Sequence, residues 1–73
     1  MALMRKTYFI SIGRDAHWAT QDSEIAAEQA RSIARQYGGC EMIVVNEVGG
    51  GHVTVYDPNG EIKEVRPLKE VDI

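Results

Sequence analysis

Hydrophobic and polar positions alternate along residues 7–12, putting Tyr8, Ile10 and Ile12 on one side of an extended chain and Thr7, Phe9 and Ser11 on the other. That period of two predicts a first strand. Gly13, Arg14 and Asp15 supply a turn, with Gly13 free to adopt a positive φ. Residues 16–20 then return as the second strand of a hairpin. Trp18, the only tryptophan, is expected to pack against a helix, where burial removes about 150–250 Å² of surface from water.

The period then lengthens to between three and four. Ala26, Ala30, Ile33, Ala34 and Tyr37 make one apolar stripe and predict a helix over residues 21–37. Thr20 or Asp22 can offer a side-chain oxygen to the unpaired N–H groups at its start. Asp22 and Glu24 set negative charge at the positive end of the helix dipole. Gly38 or Gly39 ends the helix in the left-handed conformation. Ala26, Ala27, Ala30 and Ala34 allow the helix backbone to approach its support closely.

Three further strands are predicted. Residues 42–45 are an unbroken apolar run, the mark of a central strand covered on both sides. Glycines 49–51 read as a flexible connection. Residues 52–56 alternate, with Val53 and Val55 expected inward and Thr54 and Tyr56 outward. Asp57, Pro58, Asn59 and Gly60 form a turn in which Gly60 takes the left-handed position. Residues 61–65 pair back, and Pro67, which has no N–H, ends the pairing. The expectation is an α+β fold in the order β-β-α-β-β-β, one helix on one face of a mainly antiparallel sheet. One domain spans residues 1–73, with an ordered core of about 6–66 and a fraying tail over 67–73. Strand order is left open, because the three later strands can add on either side of the first hairpin.

Tyr8-Phe9-Ile10, Trp18-Ala19, the helix with Ala27, Ala30, Ile33 and Ala34, Val53-Thr54-Val55 and Asn59-Gly60-Glu61-Ile62 together resemble a family of short bacterial proteins. That family is known as a domain of unknown function (number 2188). The resemblance runs from Tyr8 to Lys63, and residues 41–51 depart from the family pattern by roughly one added strand. It implies a fold and no activity, since the family has no established catalytic or ligand residues to carry over.

Composition narrows the setting. Cys40 is the only cysteine, so no disulfide can form within the chain, and a lone thiol fits a reducing cytoplasm. No run nears the roughly 20 apolar residues that span a bilayer, so no membrane partner is expected. A hydrophobic fraction of 44% and a net charge of -3 are those of an ordinary globular chain. A 73-residue domain has a thin core, and such folds often gain stability from a partner subunit.

Candidate chemistry is sparse. His17, His52, Cys40 and Asp15 are zinc-ligand types without ligand-like spacing, although two histidines on paired strands could share the open face. Cys40 follows the negative end of the helix dipole, which opposes thiolate formation. Glycines 49–51 follow a strand as phosphate loops do, but a strand and not a helix comes next. Neither an enzyme nor a cofactor is indicated. Residues 1–14 hold three cations, Arg5, Lys6 and Arg14, and no acid, and Arg31 and Arg35 lie one helical turn apart. Those five residues define a weak nucleic-acid-binding reading, opposed by a chain pI of about 5.2. The preferred reading is a non-enzymatic interaction domain that self-associates, as a homodimer, or meets another protein through the uncovered sheet face, with Phe9, Thr54 and Tyr56 as its contacts.

Overall fold

The computed structural model describes residues 5–13, 15–47 and 49–68, leaving aside the side chains of Ala16 and His17. The expected order holds: β1 (Lys6–Ile12), β2 (Asp15–Thr20), α1 (Ser23–Tyr37), β3 (Cys40–Asn46), β4 (Gly51–Tyr56) and β5 (Ile62–Pro67). The strands form one antiparallel five-stranded sheet, ordered β2-β1-β3-β4-β5. Because β2 and β3 are each antiparallel to β1, they run parallel to one another. The helix is the crossover between them, and β1 fills the gap. Short turns join the remaining consecutive strands, β1 to β2, β3 to β4 and β4 to β5. No helix among the described residues is long and apolar enough to cross a membrane.

The helix begins where its chemistry allows. Asp22 is the cap, its Oδ1 accepting from the amides of Glu24 and Ile25 at 3.0 Å each, while Thr20 Oγ1 accepts from the amide of Asp22. Gly38, at φ 84°, ends it and donates its N–H to the Ala34 carbonyl. Ala26, Ala30, Ile33 and Ala34 are the buried stripe. Tyr37 does not complete it: the residue stays half exposed on the last turn, just before the chain departs through Gly38.

Small residues on the helix require large ones on the sheet. Ile10, Met42, Val44 and Tyr56 fill the space beneath the alanines, with Tyr8, Ile12 and Trp18 packed at their margin. This corrects the facing expected for β4. Tyr56 (4% exposed) pairs with Cys40, and Thr54 (4%) pairs with Met42, so both lie on the helix-covered side and Val53 and Val55 face away. Alternation in residues 52–56 permits either face, and a one-residue change of register exchanges them. The covered side takes the tyrosine because its ring fills the space that the short alanine side chains leave. β3 is central, as its apolar run implied, yet only one of its faces has a helical cover.

Two glycines set this register. Gly51, at φ 153°, lies so close to β3 that a Cβ would overlap the Val44 carbonyl, so it is a point of close approach and not a spacer. Gly60, at φ 82°, closes the β4–β5 turn as expected, with Asp57 Oδ1 accepting from the amides of Asn59 (2.8 Å) and Glu61 (3.0 Å). A Cβ on Gly60 would meet Arg35 Nε at 2.8 Å, so that turn rests on the helix. Pro67 does not end the pairing: it sits opposite His52 on an edge strand, and the Leu68 amide still donates to the Gly51 carbonyl at 3.1 Å. Of the expected fraying tail, residues 69–73 lie outside the described residues.

Gly51→Ala combines a disfavoured φ with a backbone overlap and is expected to cost at least about 3 kcal/mol. Gly50→Ala meets open space and is expected to cost only about 1–2 kcal/mol for its positive φ. Urea unfolding of the two variants gives the comparison.

Candidate functional site

The face opposite the helix is organised in rows, because residues in register on neighbouring antiparallel strands project to the same side. The middle row crosses all five strands: Ala19, Phe9, Ile43, Val53 and Arg66. Above it lie Thr7, Val45 and Gly51. The ladder continues one step beyond the strands, where the Glu47 amide donates to the Arg5 carbonyl at 2.9 Å and the Arg5 amide donates to Glu47 Oε2 at 3.3 Å. Arg5 and Glu47 therefore stand side by side at the upper rim. Below the middle row come Ser11, Glu41, Val55 and Glu64.

Val53 is only 6% exposed although no helix covers it and it is absent from the cluster under the helix. Arg66 accounts for this. Its guanidinium donates to Glu41 on β3 (2.9 Å) and to Glu64 on its own strand (3.0 Å). Strands β3 and β5 flank β4 and lie about 10 Å apart, so the arginine stem must cross β4 beside Val53 and Val55. The β4–β5 half of the face is thus covered by its own side chains. On the other half Phe9 remains 37% exposed, with Ile43 and Val45 half-buried beside it. A groove of about 320 Å³ opens there, lined by Arg5, Thr7, Phe9, Gln21, Val45 and Glu47 among others.

Of the three contacts expected on this face, Phe9 is present, whereas Thr54 and Tyr56 lie beneath the helix. The histidines are not brought together: β1 and β3 separate the strands of His17 and His52, roughly 14 Å of sheet. Among the described residues, no group of three or more His, Cys, Asp or Glu is placed to hold a metal ion. The basic residues disperse as well. Arg5, just before β1, and Lys6, its first residue, line one groove with Tyr8, Gln21 and Ser23 at the helix start, and Arg5 also borders the groove on the uncovered face. Arg31 and Arg35 sit about two and three turns along the helix, where Arg35 Nε donates to the Asn59 carbonyl at 3.2 Å. Arg14 lies outside the described residues.

Arg66, Glu41, Arg5, Glu47, Val53 and Val55 were not read from the sequence as members of this face. The spacing of Glu64 and Arg66 does place them on one side of a strand. Their link to Glu41 needs the strand order, which no local pattern encodes. Comparison with family models, curated proteins and solved structures gives no match to the chain.

Two titrating groups lie on the helix side. Burial, and then the charge of Glu41, push the Cys40 thiol up, and its Sγ donates to the Ala30 carbonyl at 3.2 Å. Burial pushes the Tyr56 phenol up, opposed by the Arg31 charge, and Cys40 adds a smaller upward push. This is an inert environment for a thiol, the reverse of a nucleophile's. Both groups hold their protons more tightly when folded, so their contribution to stability is complete below the ordinary thiol value of about 8.5. It falls as pH rises from there through the ordinary phenol value of about 10 and on to the raised folded values. Denaturant unfolding between pH 7 and 11 is expected to show this decline, and the thiol to react with a disulfide reagent far more slowly folded than unfolded at pH 8.

Proposed function

We propose that this chain is a small non-enzymatic interaction domain whose working surface is the uncovered sheet face, and that its partner is a second copy. The observation that carries the reading is Phe9. A large aromatic stands exposed at the centre of a strand, with Ile43, Val45 and Ala19 around it and no helix to cover it. Aromatic residues surrounded by smaller apolar ones are the usual anchors of protein contacts.

Edge pairing is the competing route to association, and β5 is poorly suited to it. All of its residues are exposed, three of the six are charged, and Pro67 removes a donor. Face-to-face packing, as between the two sheets of a β-sandwich, is the alternative the surface supports. A reducing cytoplasm suits the buried, unpaired Cys40 thiol. Kinship with the uncharacterised bacterial family belongs to the same proposal, and its support is the strand, Trp-Ala strand and alanine-rich helix that open the chain.

The dispersed arginines give the nucleic-acid reading no comparable focus. Phe9→Glu tests the proposal. Concentration-dependent sedimentation is expected for the wild type and is expected to disappear in this variant, with the far-UV spectrum preserved because Phe9 is not a core residue. Ile25→Glu, on the exposed side of the helix, is the matched control and is expected to associate as the wild type does. A wild type that stays monomeric at every concentration would refute the reading.

A further inference from the structure

We infer that the two copies pack with their sheets face to face and their strands aligned, β1 of each lying over β3 of the other. The inference rests on the self-association proposed above and goes on to specify its geometry. In such a pair the two-fold axis runs along the strands, midway between β1 and β3, so every row of one copy meets the same row of the other. Phe9 then lies over Ile43 of the second copy, and Thr7 over its Val45. At the rim, Arg5 lies over Glu47 and Glu47 over Arg5. A two-fold interface repeats each contact, so the rim holds two complementary ion pairs.

Charge decides against the other face-to-face arrangement. Turning the axis across the strands sets upper rows against lower ones. Glu41 then faces either Val45 or Glu47, according to where the axis falls. The first leaves a charge against an apolar side chain and the second opposes two carboxylates. Among the described residues the Arg5 guanidinium has no partner within the chain, since the bonds of Arg5 run through its backbone. It is free to reach across.

With β1 over β3, strand β2 and its small Ala19 lie over β4 and the Arg66 stem that crosses it, and the β5 backbone projects beyond the overlap. Four overlapped strands and four rows give a footprint of about 400 Å² on each copy. With side-chain corrugation the total comes near the ~1,000 Å² that a specific contact needs, which makes this a weak, concentration-dependent dimer.

Charge reversal reads the geometry directly. Arg5→Glu makes both rim positions acidic, and Glu47→Arg makes both basic. Each variant alone is expected to dimerise at least about tenfold more weakly than the wild type. Mixed in equal amounts, they should form a heterodimer of wild-type affinity or better, because each acidic rim then meets a basic one. Sedimentation or native mass spectrometry reads this, with far-UV spectra confirming the fold; Glu47→Lys replaces Glu47→Arg if the latter is destabilised. A dimeric wild type whose variant mixture is no tighter than the variants alone would overturn the aligned arrangement and leave self-association standing. A monomeric wild type would overturn both.

Discussion

One helix cannot cover both faces of a sheet. Among the described residues there are five strands and a single helix of fifteen residues, and most of the molecule's features answer that constraint. On the covered side, alanines bring the helix backbone down and Tyr56, Met42 and Ile10 rise to meet it. On the other side, half of the surface is screened by Arg66 lying across β4 and half is left to Phe9 and its apolar neighbours.

The two solutions are coupled through β4. Whichever alternate set of its side chains goes under the helix, the other set goes out. Sending Tyr56 inward fills a deep space with one ring and leaves Val53 and Val55 outside, where short β-branched residues can be shielded by a single arginine stem. The reverse arrangement would leave the helix resting on valines and expose the tyrosine. Gly51 holds the register on which this depends, since only a residue without a Cβ can come so close to the Val44 carbonyl.

Much of the fold was legible in the sequence. The helix and both of its ends followed from the alanine stripe, Asp22 and the glycine pair, and the Gly60 turn followed from Asp57 and Pro58. Those signals are local, so a single chain displays them. The facing of residues 52–56 was read the wrong way round because valine outranks tyrosine in hydrophobicity while the helix requires size. Tyr37 was counted in the stripe by spacing alone, although the helix ends directly after it. Of the three contacts expected on the candidate face, only Phe9 lies there. The remaining members of the face depend on β3 inserting beside β1, a non-local choice, and on an arginine that bridges two strands lying far apart in sequence.

The central claim is that the face without a helix is where this molecule meets its own kind. Methyl NMR spectra recorded across a dilution series test it most directly. The account predicts that the Ile43 and Val45 methyl signals move with concentration while those of Ile10, Ile33 and Val44 hold still. Signals that are all unmoved, or that move only on the helix side, would contradict it.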